Sequence, residues 1–188
     1  MLISPSVLSA DLTRLHDEVN RIADVADLIH LDVMDNHFVP NLTFGLPVVK
    51  EILTRSDIRA DCHLMIEDPD RWAPEFARAG AFSVTFHIEA ARNAAELCVE
   101  LRALGARAGI ALRPGTPLSV LDGLAGYVDM IVVMTVEPGV SGQQFMPDMV
   151  SKVRGARAMD LDRATWVQVD GGIGTETISE CEIGRAHV

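Results

Sequence analysis

Cysteine is scarce in this sequence, and its spacing gives no sign of a disulfide framework or a zinc finger. Only Cys62, Cys98 and Cys181 occur, and no two of them form a C-x-x-C pair. Isolated thiols of this kind are typical of a protein that stays reduced in the cytoplasm. A basic segment followed by an apolar stretch is also missing from the N-terminus, so we expect no secretory signal peptide. We therefore expect a cytoplasmic protein.

Positive charge is also in short supply. The chain has 16 Lys and Arg residues against 27 Asp and Glu residues, which gives a formal net charge of −11. This balance argues against nucleic acid or an anionic membrane as the partner. The most apolar run, 130–136, is too short to cross a bilayer. An anionic small molecule is still compatible with this charge, because a metal ion or helix N-termini can supply local positive potential.

The chain does contain a regular alternation of short β-rich runs and amphipathic helical stretches. Strands are predicted at 3–8, 28–34, 60–66, 82–86, 108–112, 130–135 and 166–169. Helices are predicted at 12–25, 47–53, 69–79, 93–104, 117–124 and 146–159. This alternation indicates one α/β domain with parallel strands joined by crossover helices. Seven strands fit a barrel better than a doubly wound sheet, and no G-x-G-x-x-G follows the first strand.

The second predicted strand carries polar side chains on one of its two faces. Strand side chains alternate, so His30, Asp32 and Met34 share one face, and the residues between them are all apolar. In a barrel the apolar set should face the surrounding helices. The polar set should then point inward at the carboxyl end of the strand, where barrel active sites lie.

Two further strands repeat this arrangement. Asp61, His63 and Met65 share a face of the third strand, and Asp170 ends the seventh with inward parity. The strand ends thus offer two imidazoles and two carboxylates, from His30, Asp32, His63 and Asp170. This set suits a divalent ion such as Zn²⁺, Fe²⁺, Mn²⁺ or Co²⁺ without choosing among them. A cation would also relieve the cost of burying unpaired carboxylates.

Glycine-rich segments follow the sixth and seventh predicted strands, at 137–143 and 170–174. Glycine lets backbone N–H groups approach an oxyanion closely. Because phosphate sites in these barrels are often built from loops after late strands, these segments are candidates for binding a phosphate group.

Taken together, the motifs resemble the ribulose-phosphate 3-epimerase family. The resemblance runs from residue 3 to about residue 180. It rests on SPSVLSAD at 4–11, HLDVMDNHFVPN at 30–41, CHLM at 62–65, TFHIEA at 85–90, PGTP at 114–117, VMTVEPG at 133–139 and VDGG at 169–172.

The resemblance implies a (β/α)₈ (TIM) barrel that epimerises D-ribulose 5-phosphate at C3 to D-xylulose 5-phosphate, with one divalent metal ion. It implies four metal ligands, His30, Asp32, His63 and Asp170, of which Asp32 and Asp170 are also the acid/base pair. The implied substrate contacts are Ser6, Met34, His63, Met65, Met134, Gly142, Gly171 and Gly172. His87 matches a position near the pocket whose role is open.

The sequence departs from the family pattern in three places, one of which is Val140-Ser141 in place of a common Phe-Gly after the sixth predicted strand. Asn36 stands where many members have Gly, and Asn tolerates the left-handed backbone region well enough for the turn to survive. After residue 181 the sequence no longer resembles the family. We therefore expect a C-terminally truncated barrel of about seven βα units over 1–181, followed by a non-native tail at 182–188. A barrel short of one unit has unpaired strand edges, so reduced stability or a homo-oligomer is expected.

Three alternatives stay open from the sequence. The substrate could be a related ketose phosphate such as D-allulose 6-phosphate, or the chain could be an inactive fragment. A metal-free barrel isomerase with a Glu/His/Lys set is the third, but it leaves the two histidines and two aspartates unexplained.

Overall fold

The computed structural model describes residues 1–159, 161, 164–181 and 186–187, and for the last two only the backbone. Its centre is a parallel sheet in which each strand pairs with the next along the chain, in the order β1 to β7. The strands are β1 (Ile29–Met34), β2 (Ala60–Met65), β3 (Ser83–His87), β4 (Arg107–Leu112), β5 (Met130–Met134), β6 (Trp166–Asp170) and β7 (Ala186–His187). Successive parallel strands joined by crossovers are the topology of a β/α barrel, and this confirms the predicted fold class.

Helices occupy most of the crossovers, and one helix, the first, precedes β1. They are α1 (Leu15–Ile22), α2 (Leu46–Arg55), α3 (Pro69–Arg78), α4 (Ala94–Ala103), α5 (Met149–Ala158) and α6 (Ile178–Cys181). Local signals explain where several begin. Pro69 opens α3, where its missing N–H costs nothing, and the Asn93 side chain caps α4 by accepting from the Glu96 N–H. None of the helices in the described residues is both long and apolar enough to cross a membrane.

The predicted strand at 3–8 is wrong. The carbonyls of Ile3 and Pro5 accept N–H groups from Leu28 and His30, but only a single bridge, between Ser6 and His30, is formed. A 3-10 helix at Val7–Ser9 follows at once. Pro5 has no N–H to donate to a ladder, and the Ser6 hydroxyl accepts from the Leu8 N–H and so favours the turn.

The predicted α-helix at 117–124 is also wrong. Only a 3-10 helix forms, at Leu118–Leu121. Asp122 leaves the helical region with ψ 125°, and Gly123 has φ +82°, a conformation that ends helices.

The barrel has an outer and an inner apolar layer. Ile29, Leu31 and Val33 of β1 lie in the main core between the sheet and the helices, as their parity predicted. The three cysteines are buried free thiols, and all three belong to this layer. A smaller cluster fills part of the barrel interior, from Ala111, Met130, Val132, Met134 and Val136. The polar side chains that face inward therefore lie beside this apolar cluster, toward the carboxyl ends of the strands.

The predicted domain boundary at 181 and the predicted tail remain predictions. Residues 182–185 and 188 lie outside the described residues. The backbones of Ala186 and His187 pair in parallel with Val167 and Gln168 of β6.

Candidate metal-binding active site

The four predicted ligands converge on one point at the carboxyl end of the sheet. His30 and Asp32 come from β1, His63 from β2 and Asp170 from β6, and one ligand atom of each lies within 4.8 Å of the others. The parallel register sets Asp32 beside His63. Asp170 is the last residue of β6, which is five strands away from β1 in the sheet, yet its side chain reaches the same point.

Both imidazoles aim a ring nitrogen at both carboxylates. Nδ1 of His63 lies 3.3 Å from Oδ1 of Asp32 and 3.2 Å from Oδ2 of Asp170. Nε2 of His30 lies 3.3 Å and 3.6 Å from the same two oxygens. Two nitrogens and two carboxylate oxygens in a buried cluster are consistent with a divalent metal site.

The buried charges in this cluster shift one another's pKa values. Burial alone would raise the pKa of Asp32, but the charges and hydrogen bonds of His30 and His63 hold this pKa well below its ordinary value. Burial lowers the pKa of His63, yet its hydrogen bonds with Asp170 and Asp32 outweigh burial and raise the pKa to about 9. The two carboxylates thus raise the pKa of both imidazoles and favour their protonated forms, and a bound cation would take over that balancing role.

Asp61 lies behind His30, on the side away from the cluster. Its Oδ2 is 2.9 Å from Nδ1 of His30 and accepts from the Gln168 amide at 3.3 Å. Its Oδ1 accepts from the Ser83 hydroxyl at 2.7 Å and from the Thr85 hydroxyl at 3.3 Å. Strand parity had put Asp61 on the inward face, but its role as the partner of His30 was not predicted.

His87 lies behind His63 in the corresponding position. The two Nε2 atoms are 3.0 Å apart, and Nδ1 of His87 lies 3.2 Å from Oε2 of Glu89. Burial lowers the pKa of His87 to about 4, although the hydrogen bond with Glu89 opposes this shift. The sequence placed His87 near the pocket, whereas it gave no indication of a role for Glu89.

A cavity of about 570 Å³ opens above the cluster. Seven of the eight predicted substrate contacts line it, namely Ser6, Met34, Met65, Met134, Gly142, Gly171 and Gly172. The eighth, His63, is not among the lining residues, and its side chain has no exposed area. The Ser6 hydroxyl donates to Oδ2 of Asp32, so the two oxygens of that carboxylate face different partners.

Glycine is required at the rim of this cavity. Gly171 and Gly172 have φ values of +114° and +68°. A Cβ on Gly171 would lie 2.3 Å from the Val136 side chain, and one on Gly172 would lie 2.5 Å from the Phe145 backbone nitrogen. Asn36 has φ +59°, which confirms that this Asn adopts the left-handed turn.

Sequence comparison assigns the chain to a family. A profile described as the Ribulose-phosphate 3 epimerase family matches residues 2–188. The chain belongs to the ribulose-phosphate 3-epimerase family.

Curated epimerases of this family are similar over most of their length. The ribulose-phosphate 3-epimerase of Mycobacterium leprae is 52% identical over 181 residues, which cover 95% of this chain and 80% of that protein. The Candida glabrata enzyme is 41% identical, with coverage of 100% and 82%. The cytoplasmic isoform from Oryza sativa subsp. japonica is 45% identical, with coverage of 94% and 78%.

The fold itself is shared more widely. A mutant tryptophan synthase alpha-subunit from Pyrococcus furiosus superposes with a TM-score of 0.71 at 15% identity, covering 100% of this chain and 85% of that one. At such low identity the similarity concerns the barrel alone.

Proposed function

We propose that this chain catalyses the metal-dependent epimerisation of D-ribulose 5-phosphate at C3, giving D-xylulose 5-phosphate in the pentose phosphate pathway. The observation that carries the proposal is the convergence of two carboxylates and two imidazoles beneath the cavity. Family membership supports it, since similar proteins carry the name ribulose-phosphate 3-epimerase. A cytoplasmic location accords with the name of the rice relative.

In this proposal His30, Asp32, His63 and Asp170 hold one divalent ion, which is Zn²⁺, Fe²⁺, Mn²⁺ or Co²⁺. The donor set suits all four metals. The contacts behind the imidazoles support it too, because metal-bound histidines generally donate their other N–H to an acceptor. When bound, the ion supplies Lewis-acid stabilisation for the negative charge that develops on the substrate oxygen.

Asp32 and Asp170 are the proposed acid/base pair. One carboxylate removes the C3 proton, and the electron pair of that C–H bond moves toward the C2 carbonyl to give an enediolate. The other aspartate enters the step in its protonated form and donates that proton to the opposite face of C3, which inverts the configuration and leaves it as a carboxylate. Asp32 lies on β1 and Asp170 on β6, which are far apart in the strand order. Their side chains therefore reach the cluster from different strands, and this supports their acting on opposite faces of C3.

The remaining lining residues bind the sugar phosphate in this proposal. Ser6 contacts the substrate and orients Asp32 through its hydrogen bond. The side chains of Met34, Met65 and Met134 would exclude water and adapt to a planar intermediate. The phosphate would be bound by backbone N–H groups at Gly142, Gly171 and Gly172.

The test is proton NMR of D-ribulose 5-phosphate in D₂O with the full chain and added Zn²⁺, Mn²⁺ or Fe²⁺. Loss of the C3 proton signal together with formation of D-xylulose 5-phosphate is expected. Faster turnover of D-allulose 6-phosphate would instead assign the hexulose phosphate as the substrate. Exchange with neither sugar would contradict the proposal and favour an inactive fragment. Gel filtration of the same sample tests the predicted association into a homo-oligomer.

A further inference from the structure

A line of side chains leads from the candidate metal site to the loop after β3. His63 contacts His87 through their Nε2 atoms at 3.0 Å, and His87 contacts Glu89 through Nδ1 at 3.2 Å. Both imidazole side chains have no exposed area, whereas the Glu89 side chain is 22% exposed. Because both rings are sealed from solvent, every ring nitrogen must find its hydrogen-bond partner within the protein.

The donors along the line can point in only one direction if His63 binds a cation. Nδ1 of His63 is the atom that faces the carboxylates, so it must offer a lone pair and leave the proton on Nε2. Nε2 of His87 must then accept that hydrogen bond, which places the proton of His87 on Nδ1. That proton points at Oε2 of Glu89, so every N–H donor in the line points away from the cluster.

Glu89 ends the line with a group that only accepts. Its Oε1 accepts from the Arg113 backbone N–H at 2.9 Å and from the Thr116 hydroxyl, which leaves Oε2 for His87. Burial raises the pKa of Glu89, but the hydrogen bonds from His87, Thr116 and Arg113 outweigh it and lower the pKa to about 2. Because the ionised carboxylate of Glu89 can only accept hydrogen bonds, it sets the direction in which the imidazoles donate.

We propose that Glu89 and His87 are positioning residues that fix the tautomer of His63. In this arrangement Glu89 keeps the proton of His87 on Nδ1, and His87 in turn keeps the proton of His63 on Nε2. The lone pair of His63 Nδ1 then stays directed at the cluster. Asp61 performs the same task for His30 by direct contact. The inference rests on the proposed metal site and extends it by two residues.

The first test is the Glu89→Gln variant. An amide has one accepting oxygen where the carboxylate has two, and its NH₂ group donates. If the oxygen keeps its bond with the Arg113 N–H, the NH₂ faces His87 and reverses the whole line. We expect Zn²⁺ to bind about 10–100-fold more weakly, the usual effect of removing a partner of a metal-bound histidine. Competition with a chelator of known affinity measures this. Glu67→Gln, at an exposed position just after β2, is the matched control and should leave the affinity unchanged.

The His87→Gln variant separates positioning from simple packing. Its amide oxygen can accept from His63 while its NH₂ donates to Glu89, so the direction of the line is preserved. We therefore expect His87→Gln to bind Zn²⁺ more tightly than Glu89→Gln. A packing role predicts the opposite order, because the His87 ring is buried and lies 4.7 Å from the Phe38 ring. Circular dichroism of each variant confirms that it is folded.

A direct measurement is the tautomer of His87 by long-range ¹H–¹⁵N NMR, with and without Zn²⁺. We expect its proton on Nδ1 in the wild-type protein and on Nε2 in Glu89→Gln. A wild-type proton on Nε2, or undiminished Zn²⁺ affinity in Glu89→Gln, would overturn the inference. If the wild-type protein bound no Zn²⁺, the proposed metal site would be at fault. The tautomer of His87 in the metal-free protein would then still decide whether the line is directed as proposed.

Discussion

Nδ1 of His30 lies 2.9 Å from Oδ2 of Asp61, and each of these side chains is only 2% exposed. A carboxylate at this distance accepts the Nδ1–H of the imidazole, so Nε2 is the atom that faces Asp32 and Asp170 and would offer its lone pair to a bound ion. Both candidate metal-binding imidazoles are therefore supported from behind by a carboxylate. For His30 the contact is direct, and for His63 it passes through His87.

Replacing Asp61 by Asn should weaken metal binding and destabilise the fold. The amide has one accepting oxygen, while four donors point at the two oxygens of the carboxylate. We expect about 10–100-fold lower Zn²⁺ affinity. Leaving a buried donor without its acceptor should also cost about 1–3 kcal/mol in the free energy of unfolding. Chelator competition and urea denaturation measure the two effects.

Asp57→Asn is the control for this substitution. Asp57 is exposed and precedes β2, at the opposite end of the strand from the cluster. It should change neither the Zn²⁺ affinity nor the unfolding free energy. Equal behaviour of Asp61→Asn and Asp57→Asn would show that Asp61 does not support His30.

The two proposed acid/base residues can be distinguished by partial reactions. Asp32→Asn and Asp170→Asn should each lose about 10²–10⁴-fold in epimerisation, the usual contribution of a general acid or base. Each variant still retains one carboxylate, which serves one face of C3. In D₂O, each variant should therefore exchange the C3 proton of only one of the two epimers, and the two variants should differ in which one. Loss of both exchanges in both variants, with the metal still bound, would contradict a two-carboxylate mechanism.

The candidate ligands could be predicted because strand side chains alternate with a period of two. That period put His30, Asp32, His63 and Asp170 on inward faces, and the structure brings them together. The period of two does not reveal, however, which residues of neighbouring strands lie side by side. The pairing of His30 with Asp61 and of Asp32 with His63 depends on how β1 and β2 are aligned, which is fixed by packing along the whole barrel.

Two other features could not be predicted from the sequence, for different reasons. Glu89 lies past the end of β3, and it is fixed by donors from the loop after β4, a long-range contact that no local pattern encodes. The 3–8 segment has the composition of a strand, but a continuous ladder with β1 needs N–H donors on the residues that face β1, and Pro5 is one of them. Pro5 supplies none, and Ser6 uses its hydroxyl to cap a turn.

Gly172→Ala should destabilise the rim of the cavity. Its φ of +68° is unfavourable for Ala, and the new Cβ would lie 2.5 Å from the Phe145 nitrogen and 2.7 Å from the Phe145 Cα. We expect a loss of about 1–3 kcal/mol in unfolding free energy and a raised KM if the loop binds the phosphate. Gly174→Ala is the control, since nothing lies within 4 Å of its Cβ position. Equal melting temperatures for the two variants would contradict the predicted clash.

Metal-free stability and metal affinity should depend on pH in opposite senses, because both involve the proton of His63. Hydrogen bonds with Asp170 and Asp32 outweigh burial and raise the pKa of His63 to about 9 in the folded protein, against about 6.5 in the unfolded chain. A histidine whose pKa is raised by folding stabilises the fold in its protonated form. This contribution is complete below about pH 6.5 and is lost as the pH rises through about 9. Urea denaturation of the metal-free protein at pH 6.5, 7.5 and 9 measures the decline.

Zn²⁺ affinity should rise over the same pH range, because the ion must displace the proton on Nδ1 of His63. For each proton released, the apparent Kd should fall about tenfold per pH unit until the pH approaches 9. Titration calorimetry in buffers of different ionisation enthalpy counts these protons directly, and at least one per bound ion is expected near pH 7.5. In Asp170→Asn the hydrogen bond that contributes most to raising the pKa of His63 is weakened. The proton is then lost at lower pH, and the rise in affinity should level off earlier. An affinity that is flat between pH 7 and 9 in the wild-type protein would show that His63 is already deprotonated and that the two carboxylates do not hold its proton.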